Sequence, residues 1–317
     1  MSKILVTGGA GFIGSHVVDR LMQQGHQVVC LDHLSDYYSP EIKIQNIAHH
    51  FADKNFTFLV KNVVEKDKLE KIFQEHKFTT VIHLAARAGV RASIEDPLGF
   101  RDTNISGTIN LLELAKSYGV NNFVLASSSS VYGNNEKVPF AETDPVDQPI
   151  SPYAASKRAC ELYAYAYSRL CDLNITCLRF FTVIGPRNRP DMAHFKFLKA
   201  IAEETPITKY GDGSTSRDYT YIDDIVEGIL ASAAKNLKFE IINLGNAQRI
   251  SLNQMIATLE QALGKKAKIK NLPLQTGDVN HTWADISKAK ALLNWEPKTE
   301  YEEAVNQLVK WYKKTYD

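Results

Sequence analysis

No stretch of this chain reaches the roughly 20 consecutive apolar residues that a membrane helix needs, and Met1-Ser2-Lys3 leads straight into an apolar strand pattern. We therefore expect neither a membrane span nor a secretion signal. Cysteine is scarce too. Cys30, Cys160, Cys171 and Cys177 form no Cys-x-x-Cys spacing and sit inside apolar patterns, as reduced core thiols do, so the expected compartment is the cytoplasm. Charge of one sign is also lacking: 37 Lys and Arg against 36 Asp and Glu leave a net charge of +1. No global field then draws the chain to nucleic acid or to an anionic membrane, although a local phosphate site stays open. Internal repeats and low-complexity tracts are absent. What remains is the composition of a globular protein, 44% hydrophobic and 23% charged over 317 residues, enough for one large or two modest domains.

Lys3 to Thr7 is a short apolar strand, and Gly8-Gly9-Ala10-Gly11-Phe12-Ile13-Gly14 opens a helix running to about Gln24. Gln27 to Leu31 is a second buried strand, ending in Asp32. Glycines 8, 11 and 14 allow a tight turn, approach of a pyrophosphate to backbone amides, and close packing of helix on strand. Asp32 stands where a carboxylate accepts the hydroxyls of an adenosine ribose, and it would repel the 2′-phosphate of NADP. Glycine spacing alone is a weak signal. Strand, glycines, helix, strand and acid in that order read as a dinucleotide site.

The alternation continues through a helix from Pro40 to about Ala52, a strand at Phe56 to Val60, a helix from Glu65 to about Gln74 and a strand at Thr80 to Leu84, with Ala85-Ala86 behind it. Small residues just past a strand let a cofactor lie against the backbone. His83 reads as a satisfied strand histidine rather than a catalyst. Pro97 to Tyr118 is a long helix containing Asn104, a poor interior residue unless its amide is used.

Val124-Leu125-Ala126 is another buried strand, and the serines from Ser127 to Ser130 emerge at its C-terminal end, where open α/β sheets place their chemistry. Pro152 then starts a helix with Ser151 as its N-cap. Tyr153 and Lys157 share one face of it, and an ammonium beside a phenol favours the phenolate. That makes Tyr153 a candidate general base and acid. An isolated pair at this spacing is more often a surface tyrosine beside a solvated lysine; the dinucleotide pattern upstream argues for chemistry.

Ile175 to Phe181 is a sixth strand, after which the alternation loosens into loops rich in Gly, Pro and Arg, with short helices and strands that include Phe239 to Leu244. The expected fold class is α/β, a Rossmann-type doubly wound parallel sheet over residues 1–184, with some later segments returning to it. A smaller C-terminal α/β substrate lobe would be drawn mainly from 185–317. Arg187 and Arg189 stand in one constrained loop and Arg217 at a strand start; guanidinium forks match phosphate and carboxylate. Surface salt bridging is the plainer alternative for each of them taken alone.

With these motifs in order, the chain resembles the extended short-chain dehydrogenases/reductases, and within them the nucleotide-sugar 4-epimerases, over essentially its whole length. The resemblance implies an isomerase with tightly held NAD, in which a sugar C4 is oxidised transiently and reduced from the other face. It assigns Tyr153 as base, Lys157 as its tuner and holder of the nicotinamide ribose, and Ser128 as the partner of O4. Gly8, Gly11, Phe12, Ile13, Gly14, Asp32, Asn62, Leu84, Ala85, Ala86 and Asn104 occupy cofactor and support positions, Asn62 standing where relatives often place an aspartate against the adenine. Related sugar 4,6-dehydratases carry an Asp-Glu pair where Ser129-Ser130 stand, and related decarboxylases a glutamate at Ser130. Neither carboxylate is present, which favours epimerisation.

The motif from Phe180-Phe181-Thr182 through Gly185-Pro186-Arg187-Asn188-Arg189-Pro190-Asp191-Met192, with Ala88-Gly89-Val90-Arg91, is similar to the UDP-glucuronate 4-epimerases. There the threonine and the second arginine hold the sugar carboxylate, so Thr182 and Arg189 inherit that role. Arg91, Ser129, Thr208, Tyr210, Arg217 and Asp278 complete the expected substrate set, with Gln275 where many relatives have an arginine for the diphosphate. UDP-glucose or UDP-N-acetylglucosamine epimerisation is the runner-up, and a catalytically silent NAD-sensing module a remote alternative. A homodimer through the helices around 97–118 and 153–170 also follows from the resemblance, with Ala155, Ala159, Leu162 and Ala166 as the contact stripe.

Overall fold

The computed structural model describes residues 2–273 and 281–316. Its frame is a seven-stranded parallel sheet built from β1 (Lys3–Thr7), β2 (Gln27–Asp32), β3 (Phe56–Val60), β4 (Thr80–His83), β5 (Asn122–Ser128), β6 (Asn174–Phe180) and the strand Phe239–Leu244. Across the sheet the order is Phe239–Leu244, β6, β5, β4, β1, β2, β3. The chain thus builds outward from β1 through β2 to β3, crosses back, and builds the other way from β4. Between β1 and β4 lies the switch point, where helices on opposite faces part and a ligand crevice opens beyond the strand ends.

Alternation along the strands explains why both faces are covered. Ile4 and Val6 of β1, Val28 and Cys30 of β2, and Val124 and Ala126 of β5 enter one core, together with helix α1 (Phe12–Gln23) and the helix Ile222–Ala233. Leu5, Val29, Leu31, Phe123 and Leu125 enter the core on the other face, with helices Lys66–His76, Gly107–Ser117 and Pro152–Leu170. A third core, separate from both, packs helices Ala193–Ala202, Leu252–Leu263 and Tyr301–Tyr316.

Three expectations change in detail. Phe239–Leu244, grouped by sequence with the smaller lobe, is the edge strand of the large sheet beside β6, so Ile222–Ala233 and this strand are the segments that return. Helix Pro40–Ile47 stops short of Ala52 and passes into a 3₁₀ turn at Ala48–His50. The segment from Pro97 to Ser117 is helical throughout but widens into a π turn at Arg101–Ser106, which carries Asn104. Among the described residues no helix is long and apolar enough to cross a membrane.

Candidate active site

A cleft of about 690 Å³ opens at the C-terminal ends of β1, β2, β4, β5 and β6. A smaller pocket of about 470 Å³ lies beyond the N-terminal ends of β4 and β5, around Lys77, Thr79, Tyr118 and Asn121, away from every motif above. The large cleft is built from backbone at one end and from side chains at the other.

At the backbone end the glycines leave no room for alternatives. Gly8 has φ +69°, and a Cβ there would come within 2.7 Å of the Ala85 nitrogen; one at Gly14 would come within 2.1 Å of the Gly8 carbonyl oxygen. Stripping these side chains brings the first turn of α1 against β1 and β4. No side chain caps α1, and its first turn holds no acid, so its leading N–H groups and positive dipole end face the cleft, where an anion is favoured. Asp32 is 7% exposed, and its carboxylate accepts from the amides of Ala10 (3.2 Å) and Leu34 (2.9 Å), which fix its direction and leave lone pairs for hydroxyls. Phe12, Ile13, Leu84, Ala85, Ala86 and Asn62 also line this end. The Asn62 side-chain oxygen lies 3.3 Å from the Val64 amide. These residues fit a dinucleotide: a closed glycine turn for the pyrophosphate, an oriented acid for a ribose and small residues where a ring would lie.

Asn104 justifies its place in a helix interior. Its side-chain oxygen accepts from the Arg87 amide at 2.8 Å, and its Nδ2 donates to the Arg87 carbonyl at 3.0 Å and to Ser156 Oγ at 2.9 Å. One side chain thereby ties the loop after β4 to the helix of Tyr153. His83 is the satisfied histidine expected, held between the hydroxyls of Thr7 (2.7 Å) and Thr108 (3.0 Å). Burial drives its pKa down to about 3, so it stays neutral.

At the side-chain end, Ser151 caps the helix Pro152–Leu170 by accepting from the Ala154 amide at 3.1 Å. Tyr153 lines the cleft, braced edge-on by Phe100. Lys157 is 5% exposed and donates to the Ala126 carbonyl at 2.7 Å, which locks the helix face against the end of β5. Ser128, which accepts from the Ser130 amide at 3.2 Å, and Ser129 line the same wall, as do Thr182 and Arg189 from the following segment.

A family model described as GDP-mannose 4,6 dehydratase matches residues 5–308. The chain belongs to this family of extended short-chain dehydrogenases/reductases. A UDP-glucuronate 4-epimerase of Thermodesulfobacterium geofontis is 48% identical over 318 residues, covering 100% of this chain and 98% of the relative. Among solved structures, a UDP-glucuronic acid 4-epimerase from Bacillus cereus, in complex with UDP-glucuronic acid and NAD, superposes with a TM-score of 0.93 at 37% identity, over 99% of this chain and 100% of that one. A UDP-glucose 4-epimerase from Thermotoga maritima, with UDP-glucose, gives 0.91 at 36% identity over 99% and 100% of the two chains. Both sugars are thus represented among close relatives of this fold.

The remaining substrate candidates gather less tightly. Arg91 places its guanidinium over the ring of Tyr210, 5.8 Å from the centroid, on the lobe side. Thr208 and Tyr210 lie on the strand Pro206–Tyr210, and Arg217 on Ser216–Arg217, where its Nη1 donates to the Ser216 carbonyl at 2.9 Å. Among the described residues these four do not form part of the cleft wall that holds Tyr153. Asp278 and Gln275 lie outside the described residues.

Two features escaped the sequence reading. Glu161, one helical turn beyond Lys157, is 1% exposed and is gripped by Arg179 (2.8 and 2.9 Å), Ser127 (2.6 Å) and Arg158 (3.1 Å). An arginine inside the apolar strand β6 was the signal, because a buried guanidinium demands a carboxylate. The second is Asp191, whose oxygens receive Nε and Nη2 of Arg189, both at 2.9 Å. Burial alone would push the Asp191 carboxyl up, but the arginine fork outweighs it and holds the group below the usual carboxylate range. Tyr37 adds a hydrogen bond to the same carboxylate at 3.2 Å.

Proposed function

We propose that this chain is a UDP-sugar 4-epimerase dependent on bound NAD and that UDP-glucuronate is its substrate, converted to UDP-galacturonate. The observation that carries the reading is the meeting of Ser128, Tyr153, Lys157, Thr182 and Arg189 on one cleft beside the glycine turn. Gly8 to Gly14 would hold the pyrophosphate and Asp32 the adenosine ribose, with NAD preferred over NADP. Comparable affinity for NADP would remove that preference.

NAD held there supplies reversible oxidation at the sugar C4. Tyr153 takes the proton from the 4-hydroxyl and gives it back, the work of a positioned phenol. Lys157, on the same helix face, would tune the phenol, and Ser128 would offer a hydroxyl to O4. Ser129 and Ser130 line the wall where a dehydratase or decarboxylase needs a carboxylate, so the 4-keto sugar is left with reduction. A 4-keto uronic acid loses carbon dioxide readily, and a threonine and a guanidinium on its carboxylate restrain it from that geometry. Incubation with UDP-glucuronate, UDP-glucose and UDP-N-acetylglucosamine, without added cofactor and with products resolved by NMR, tests the reading. No interconversion of any of them would overturn it.

One observation favours the neutral hexoses as a second reading: Arg189 is already neutralised by Asp191, so a hydroxymethyl group need not face a bare cation. A homodimer belongs to the same proposal. Leu98 (62% exposed) and Leu162 (54%) project from the two helices, and Ala155 and Ala166 lie exposed on the second. Sedimentation at micromolar concentration, with a monomer as the contrary result, decides it.

A further inference from the structure

The Arg189 fork presents its best edge, the parallel Nε and Nη2 pair, to a carboxylate that belongs to the protein itself. A second carboxylate brought to the same guanidinium would lie close enough to Asp191 for the two to repel. Either the substrate carboxylate settles for a poorer edge of Arg189, or the internal one leaves. The surroundings provide for departure. Asp191 is 29% exposed and Tyr37, its other partner, 46%, so a released carboxylate reaches water while still in range of the Tyr37 hydroxyl. Arg189 has a separate anchor: its loop neighbour Arg187, at φ +62°, pairs with Asp19 of α1 at 2.8 Å. Asp191 can therefore turn away without moving the loop that carries the guanidinium. Arg189 and Tyr153 line the same cleft.

Resting on the reading of Arg189 as the partner of a sugar carboxylate, we propose that Asp191 is an internal stand-in for that group: it occupies the Arg189 fork in the free site and is exchanged for the carboxylate of the incoming uronate, with Tyr37 receiving it. This sets specificity by competition. A uronate must beat a carboxylate already in place, and a neutral hexose leaves the pair intact, so the internal ion pair narrows the gap between the two substrates. Removing Asp191 should widen it. A positioning role predicts the reverse, because a guanidinium that has lost its brace binds a uronate less well.

The test is the affinity of NAD-loaded Asp191→Asn for UDP-glucuronate and for UDP-glucose, by calorimetry in a Tyr153→Phe background that halts turnover, compared with Tyr153→Phe alone. Exchange predicts a gain for UDP-glucuronate on the order of tenfold or more, with UDP-glucose unchanged or weakened. Equal gains for both would place Arg189 on the shared diphosphate, and a loss for UDP-glucuronate would make Asp191 a brace; either result overturns the proposal. Should Asp191→Asn fail to fold, Asp191→Ser in the same background serves. It too empties the fork, so UDP-glucuronate alone should bind more tightly, whereas equal change for both sugars, none, or a loss overturns the proposal. Turnover of UDP-glucuronate by the unaltered enzyme is followed in parallel. If that sugar is not epimerised at all, the functional reading fails first; if it is epimerised and the affinities do not split, only the exchange fails.

Discussion

The two ends of the cleft are made of different material. Around Gly8, Gly14 and Asp32 the surface is backbone, pressed together until a single Cβ would collide, and the Asp32 carboxylate is aimed by two amides. Around Thr182, Arg189 and Tyr37 it is side chain, carried by the short strand Thr182–Ile184 and two loops, with Arg189 and Tyr37 both satisfied by Asp191 of the protein itself. Backbone contacts are fixed by local sequence and tolerate no change. Side-chain contacts can be swapped one at a time while the fold stands. An enzyme family that keeps one cofactor and varies its sugar would need this division.

The largest effect is expected where the two ends meet. Tyr153→Phe should keep NAD bound and lose turnover by roughly 10² to 10⁴, the usual worth of general acid and base catalysis. A mutant that retains substantial rate, measured by product NMR, would move the proton chemistry elsewhere.

Acid should next strike both halves through histidines buried as neutral groups. His83 lies under the cofactor end, and His194, bonded to the Tyr301 hydroxyl at 2.8 Å, lies in the core of the smaller lobe. Burial lowers both to about 3. Their folded pKa values lie below the unfolded one, so their contribution is fully present above about 6.5 and is lost as pH falls towards 3, removing on the order of several kcal/mol. Denaturant melts at pH 7 and pH 4 measure it, and equal stability at the two values would contradict burial of neutral rings. His83→Gln should flatten the dependence in part.

Gly8→Ala tests the backbone end directly. A φ of +69° and a contact of 2.7 Å with Ala85 should cost about 1–3 kcal/mol of stability and leave a protein that purifies without NAD. Full retention of cofactor would show that the turn has slack. Arg189→Ala is the milder counterpart at the sugar end. Since Asp191 already pairs the guanidinium, the loss on UDP-glucuronate should be about 10- to 100-fold in kcat/KM, with a much smaller change on UDP-glucose. A uniform loss on both would shift Arg189 to the diphosphate and erase the contrast between the ends.

The same contrast explains what the sequence revealed. Strands β1 to β6, α1, the glycine turn and the Tyr153 helix were legible because each is announced locally, by apolar runs, by glycines, or by Ser151-Pro152 at a helix start. Phe239–Leu244 was recognised as a strand but placed in the wrong lobe, because its pairing with β6 is a long-range choice that no local pattern states. Arg189 stands out in the sequence as a candidate, yet nothing there marks the partner two residues on. Sequence motifs advertise what a residue can bind, and only packing shows what it already holds. Glu161 and Arg179 teach the same lesson from the interior.

The π turn at Arg101–Ser106 has a consequence for how this protein can change over generations. Successive residues of an α-helix are about 100° apart around its axis. Deleting one residue from the regular helix Gly107–Ser117 would rotate everything behind it by about that angle and roll Leu112 and Ala115 out of the core. The widened turn differs, because it already holds one residue more than an α turn: losing that residue would let it close, keeping Leu111, Leu112 and Ala115 in phase while shifting Asn104. The segment is therefore the one stretch of this helix whose residue count can change without turning its apolar face to water.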